Sequence, residues 1–197
     1  MIIRKKFNVE SAHIVRNCTS ERCSHSIHGH SAVIEVFLEA NVLDNAQMVY
    51  DFGLMKGTIK QFIDSMDHCY LLCNRDDIEF RNFIKASCDR YIELPFNPSA
   101  EMLSLFIYQG VRKILDYTET NNGEGIIRVK AVRYHETETG YAECDHTDFV
   151  NFDCNYSLSD VVFSDGVVKD WSEDLRKIIF EYRGVSNPVI KQQIELN

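Results

Sequence analysis

The stretch "CSHSIHGHSAVIEVFLEA", residues 23–40, carries a cysteine and three histidines straight into β-branched and apolar residues, and its reading decides the fold. Ser31 to Ala40 reads as a strand. His28 and His30 stand two apart, so in extended backbone both imidazoles leave the same face, roughly 6 to 7 Å apart at the main chain, and can converge on one ion. Gly29 between them removes bulk from the opposite face. Upstream, Ile2 to His13 reads as a strand in which Phe7, Val9, Ser11 and His13 share one side. Residues 14–24 form a loop, Asn41 to Asn45 a turn, and the two strands an antiparallel pair. That pairing makes His13 the best-placed third imidazole, with His25, in the loop, as the alternative. Three neutral nitrogens and an open position are the donor set of catalytic rather than structural zinc. The competing reading is that H-x-H arises by chance and that a strand-end histidine is an ordinary hydrogen-bonded residue.

Beyond Phe52 the period changes. Phe52, Met55, Ile59, Phe62, Ile63 and Met66 recur at three- and four-residue steps, predicting a helix of about four turns. A second helix is expected from Asn97-Pro98, with Asn as cap, Leu103, Ile107, Gly110, Val111 and Ile114 as its buried stripe, and Gly110 permitting close packing. Ile126 to Thr137 and Tyr141 to Phe149 alternate like strands around Thr139-Gly140. The order ββ-α-α-ββ predicts an α+β fold, a four-stranded antiparallel sheet with both helices on one face, over residues 1–149. Residues 150–197 read as a C-terminal extension, with a small hairpin over 161–169 and a short helix over Ser172 to Tyr182 that ends before Gly184.

The bulk composition narrows the function. A net charge of −9 and no basic run longer than Arg4-Lys5-Lys6 argue against nucleic acid as a partner. No run of about 18 apolar residues and no signal-like opening appear, so neither a membrane span nor export is expected, and the chain reads as cytoplasmic. Seven cysteines (18, 23, 69, 73, 88, 144 and 154), an odd number, fit free thiols in a reducing compartment better than a disulfide framework. The pairs Cys18/Cys23 and Cys69/Cys73 lack the tight C-x2-C knuckle of structural zinc, and the second pair is placed where a helix ends.

Three further positions carry candidate chemistry, each beside a plainer reading. Cys23 near a divalent cation has its thiolate favoured and can act as a general base; otherwise it is an inert loop cysteine. Asp67 beside His68 can fix the imidazole tautomer, or the two simply end a helix. Glu136, in "HETETGY" (135–141), can take two parallel hydrogen bonds from a flat amidine-like edge, as in a guanine or pterin ring, or be a solvated turn residue.

Six landmarks fall in order: "FNVESAH" (7–13), "CSHSIHGHS" (23–31), "MVYDFGLMK" (48–56), "MDHCYLLCN" (66–74), "NPSAE" (97–101) and "HETETGY" (135–141). Over about residues 1–145 this series resembles the 6-pyruvoyl-tetrahydropterin synthase / 6-carboxy-tetrahydropterin synthase family. The resemblance implies a tunnelling fold (T-fold) whose subunits join their sheets into a barrel, commonly a hexamer of two trimers, with active sites between subunits. It implies Zn2+ on His13, His28 and His30, Cys23 as proton acceptor, His68 and Glu136 as relay residues, and Asp67 supporting His68. It further implies that Glu136 holds the pterin's amino edge and that Ser99 and Glu101 line the pterin pocket, with Ala100 in place of the usual hydroxyl residue. The implied substrate is 7,8-dihydroneopterin triphosphate.

The family places its cysteine four residues before the first histidine of HGH; Cys23 lies five before His28, Ser24 holds the usual position, and Cys18 is the fallback. The compact chain looks most like bacterial 6-carboxy-5,6,7,8-tetrahydropterin synthases of the queuosine (7-deazaguanine) pathway. The alternatives are triphosphate elimination to a 6-pyruvoyl product, and a T-fold protein that binds a pterin or purine without turnover.

Overall fold

The computed structural model describes residues 1–152 and 156–190, so Cys154 and the end of the C-terminal extension lie outside the described residues. In chain order the elements are β1 (Ile2–His13), α1 (Glu21–His25), β2 (His28–Glu39), α2 (Thr58–Asp64), β3 (Cys69–Cys73), α3 (Ile78–Ser87), β4 (Tyr91–Leu94), α4 (Ala100–Asp116) and β5 (Thr118–Glu119). There follow β6 (Arg128–Thr137), β7 (Gly140–Asp145), α5 (His146–Asn151), β8 (Val162–Phe163), α6 (Asp165–Val168), α7 (Glu173–Arg176) and β9 (Val185–Ser186). Among the described residues the main sheet runs β7-β6-β2-β1-β3-β4-β8. Its first four strands are the expected antiparallel set. The whole is a seven-stranded mixed sheet rather than a four-stranded one, because β3 joins β1 in parallel and β4 joins β3 in parallel.

The added strands escape a periodicity argument. All five residues of β3 are buried, so "CYLLC" shows no alternation. The strand is covered on both faces: Leu71 enters the main core, while Tyr70 and Leu72 pack with Ile84 of α3 on the other side. Cys69 and Cys73 therefore lie in a strand, not at a helix end. The α3 helix starts at Asp77, whose carboxylate accepts the Glu79 and Phe80 N–H groups.

The apolar stripe from Met55 to Met66 is buried as its spacing requires. Its helix is shorter than four turns: a single 3-10 turn over Leu54–Lys56 stops at Gly57, and α2 proper covers seven residues. Phe52 lies outside the stripe, half-exposed with the Lys5 ammonium 5.5 Å from its ring centre. The cap of α4 is Ser99 rather than Asn97, which instead exchanges hydrogen bonds with the Arg16 main chain. Gly110 does admit a close neighbour, for a Cβ there would fall 2.1 Å from the Phe62 ring. The strand expected over 141–149 stops at Asp145, which caps α5 in a reciprocal box with Asp148.

The C-terminal segment shares the main core. Leu158, Val161, Phe163, Val167, Trp171, Leu175, Ile178 and Ile179 are buried in one cluster with Phe62, Phe106 and Ile107. The expected hairpin over 161–169 is instead the short strand β8, added antiparallel to β4, followed by α6. The helix after Ser172 forms, loosens to π geometry over Lys177–Glu181, and ends on left-handed Tyr182, before Gly184.

Ala32, Ile34, Val36 and Leu38 of β2 enter the core, so Glu35 points to the opposite face. It is nonetheless buried, with Arg4 Nη1 at 2.7 Å, His135 Nε2 at 3.0 Å, Lys6 Nζ at 3.5 Å and Arg133 Nη1 at 3.8 Å. Burial pushes its carboxyl upward, but the His135 hydrogen bond and the Arg4 and Lys6 charges outweigh it and leave it below its ordinary value of 4.5. A carboxyl depressed on folding adds stability that is whole above that value and is lost as pH falls through the folded one. Urea midpoints measured against pH should therefore fall less steeply below about pH 4.5 in Glu35→Gln than in the parent. Parallel curves would refute this account.

Candidate metal centre and active site

The antiparallel register of β1 and β2 sets His13 directly opposite His28 and Ser11 opposite His30. The residues Phe7, Val9 and His13 of β1 and His28, His30 and Ala32 of β2 have the parity that turns one row inward. Three imidazoles meet at the end of that row, with ligand nitrogens within 4.8 Å of one another and ring centres 4.6 to 5.1 Å apart. His25 lies outside this group, with its Nδ1 2.7 Å from Ser24 Oγ. Gly29 permits the strand's approach, since a Cβ would stand 3.0 Å from the Ser11 carbonyl.

The donor chemistry fits a cation. His13 Nδ1 lies 2.9 Å from the Pro98 carbonyl and His28 Nδ1 lies 3.0 Å from the Ser26 carbonyl. A carbonyl only accepts, so each Nδ1 carries the proton and each Nε2 is left with its lone pair toward the cluster. The Nε2 atoms of His13 and His30 are buried without a hydrogen-bond partner, which is costly unless something binds there. Burial, followed by the nearby His28 and His30, lowers the His13 pKa to about 4, so the ring is neutral and available as a ligand at physiological pH. Glu136 approaches the same atoms, its Oε1 3.6 Å from His13 Nε2 and 3.7 Å from His30 Nε2. The register between β6 and β7 shifts by one residue between His135 and Thr137, and this bulge occurs at Glu136.

Cys23 sits in α1, a turn absent from the sequence reading, and its thiol is half-buried. The turn is pinned to the exit of β1: Val15 N–H donates to the Cys23 carbonyl at 2.9 Å, and Arg16 Nη1 to the Ser24 carbonyl at 3.1 Å. Cys18 Sγ donates within its own loop, to the Ser20 carbonyl at 3.2 Å. Burial pushes the Cys69 thiol up to about 12 and raises that of Cys73, which leaves both protonated and unreactive.

Asp67 and His68 form a pair outside the three-imidazole group, at the level of Glu10 on β1. Asp67 Oδ2 lies 3.0 Å from His68 Nδ1, and its Oδ1 accepts the Glu10 N–H at 2.8 Å. Burial works against the Asp67 charge, but the Glu10 N–H, His68 and Arg90 together hold its carboxyl below the ordinary range. The His68 side chain is 78% exposed, so within one chain nothing closes over it. His30 and His68 both border an open cleft of about 980 Å³, which Glu136 does not line. Ser99 Oγ is engaged as the α4 cap on Met102 N–H, and Glu101 is exposed in the first turn. The segment 97–101 reaches the imidazole cluster through Pro98 instead. That carbonyl contact was not visible in the sequence, where Pro98 signalled only a helix start.

A mixed sheet whose first two strands end in three convergent imidazoles, backed by a long buried helix, defines an α+β protein of the tetrahydropterin-synthase fold. Among solved structures, an uncharacterized protein from Wolinella succinogenes superposes with a TM-score of 0.59 at 20% identity, covering 74% of this chain and 98% of that one. The 6-pyruvoyl tetrahydropterin synthase of Plasmodium falciparum does so with a TM-score of 0.53 at 15% identity, covering 73% and 96%. Residues 2–147 match the family model for 6-pyruvoyl tetrahydropterin synthase. A Helicobacter pylori protein named 6-carboxy-5,6,7,8-tetrahydropterin synthase is 41% identical over 175 residues, 88% of each chain, and the Aquifex aeolicus protein of that name is 31% identical over 121 residues, 60% of this chain and 73% of its own. The chain belongs to the 6-pyruvoyl tetrahydropterin synthase family, a family of pterin synthase enzymes. Among the described residues, no helix is long and apolar enough to cross a membrane.

Proposed function

We propose that this protein is a zinc-dependent 6-carboxy-5,6,7,8-tetrahydropterin synthase that converts 7,8-dihydroneopterin triphosphate and water to 6-carboxytetrahydropterin, acetaldehyde and triphosphate in queuosine biosynthesis. The observation that carries the reading is the 41% identity, over 88% of both chains, to a relative of that name, in a chain whose His13, His28 and His30 converge with unpartnered Nε2 atoms. On this reading those three residues hold Zn2+, which when bound supplies a Lewis acid toward the hydroxyls of the substrate side chain. Cys23 accepts a proton from that side chain, and His68, oriented by Asp67, returns one. Glu136 holds the amino edge of the pterin, and Ser99 and Glu101 stand beside the ring.

The His68 side chain stands exposed at the cleft it shares with His30, which supports an assembly in which a neighbouring subunit completes each site. We assign a homo-oligomer, a hexamer of two trimers, acting in the cytoplasm on a small molecule, with neither nucleic acid nor membrane as partner. Incubating the zinc-loaded protein with 7,8-dihydroneopterin triphosphate and identifying products by mass tests the reading. Acetaldehyde with a carboxypterin supports it. A three-carbon pyruvoyl product, or substrate bound and returned unchanged, overturns it.

A further inference from the structure

The Asp67–His68 turn is backed by a part of the chain that lies beyond the matched family region, which ends at residue 147. His68 has φ = 51°, left-handed backbone that a non-glycine residue holds only when its surroundings over-determine it. On one side β1 supplies that constraint, through the His68 N–H to the Glu10 carbonyl at 2.6 Å and the Glu10 N–H to Asp67. On the other side stands Arg90. Its Nε donates to the Asp67 carbonyl and its Nη2 to the Asp64 carbonyl, both at 3.0 Å, and the Asp64 carbonyl also accepts the Asp67 N–H in the turn that follows α2. Its Nη1 donates to the Gly166 carbonyl at 2.9 Å and to Asp170 Oδ2 at 2.6 Å.

The segment that receives Arg90 is itself tied to the same region. Trp171 Nε1 donates to Ser65 Oγ at 2.8 Å in the buried interior, and Ser172 N–H donates to Gln61 Oε1 at 2.9 Å. Ser164 Oγ donates to the Asp89 carbonyl at 2.8 Å. Gly166 lies so close to the bend before β4 that a Cβ would stand 2.1 Å from the Asp89 carbonyl oxygen. Residues 164–172 thus form a strap across the back of residues 61–68, with one planar guanidinium joining the two.

We propose that this C-terminal strap, acting through Arg90, is a positioning element that holds Asp67 and His68 in their working geometry. The inference rests on the reading of His68 as a group that acts on substrate. Arg90, which also borders the cleft of His30 and His68, acts in this proposal as a positioning residue, through the Asp67 carbonyl. Its fork makes four directed hydrogen bonds that a lysine, a point charge, cannot reproduce.

The test uses the intact zinc-loaded protein carrying Arg90→Met, Arg90→Lys, Asp170→Asn and, as reference, His68→Gln. Arg90→Met should lower kcat about tenfold with KM and zinc content unchanged, on the scale of a misplaced catalytic group. Arg90→Lys should recover only part of this. Amide hydrogen exchange over residues 64–70 should quicken by about tenfold in Arg90→Met, and less in Asp170→Asn, while residues 32–38 in the central strand exchange as in the parent. Asp170, 61% exposed in its side chain, provides a variant with little risk to folding. Unchanged exchange over 64–70, or exchange quickened equally across the central strand, overturns the proposal. An inactive His68→Gln beside a fully active Arg90→Met overturns the positioning role alone. A fully active His68→Gln overturns the reading of His68 and the positioning role with it.

Discussion

Alanine at both 28 and 30 is expected to leave a folded protein that binds no zinc and turns over at least about 10³-fold more slowly, about 4 kcal/mol in the barrier. The two imidazoles stand at the first residues of β2, ahead of the buried run from Ala32 to Leu38, so their loss removes donors without opening the core. The remaining His13 is a single neutral donor, too few to hold a cation against water. Zinc content after dialysis should drop from about one ion per chain to none, and a thermal melt should show that the fold persists. Retained zinc with retained turnover would place the metal elsewhere. Loss of zinc with full turnover would remove metal from the chemistry. The centre's deep burial at His13 adds a second signature: the neutral ring must stay unprotonated to bind, so zinc should be released as pH falls toward the lowered value of about 4.

Replacing Cys23 by alanine is expected to lower kcat by about 10² to 10⁴-fold, the usual weight of a positioned base, with zinc content and pterin affinity unchanged. Cys18→Ala should change kcat by less than about twofold, since its thiol is committed to the Ser20 carbonyl in its own loop. Cys23 and Ser24 stand in the five-residue turn α1, where their carbonyls accept hydrogen bonds from Val15 N–H and Arg16 Nη1 just beyond the exit of β1. Steady-state rates with 7,8-dihydroneopterin triphosphate, beside pterin binding by fluorescence quenching, separate the two roles. If Cys18→Ala proved the damaging change, the displaced cysteine would be a structural residue and the base assignment would move upstream. If neither mattered, the protein would be a pterin-binding member of its family.

Much of this was legible along the chain because it rests on short-range periodicity. Phe7, Val9 and His13 alternate, His28 and His30 share a face by being two apart, and the stripe from Leu103 to Ile114 repeats at helical spacing. What periodicity does not carry was missed. β3 is buried on both faces and so has no polar alternation, Gly57 breaks a stripe whose apolar spacing continues across it, and Asp145 turns an alternating run into a capped helix. The C-terminal segment read only as an extension because its partners, Ser65, Asp89 and Arg90, are 75 or more residues away.

From the order of residues alone follow the paired strands, the two imidazoles on one face, the opposing His13 and the family to which the chain belongs. Folding alone decides which nitrogen His13 presents, because that depends on the carbonyl of Pro98, 85 residues away, that its other nitrogen meets. Folding also brings Glu136 to the cluster and Arg90 to the back of Asp67. The reason is one of range: side-chain direction follows from local backbone geometry, whereas hydrogen-bond partners and desolvation depend on groups brought near only when distant segments pack.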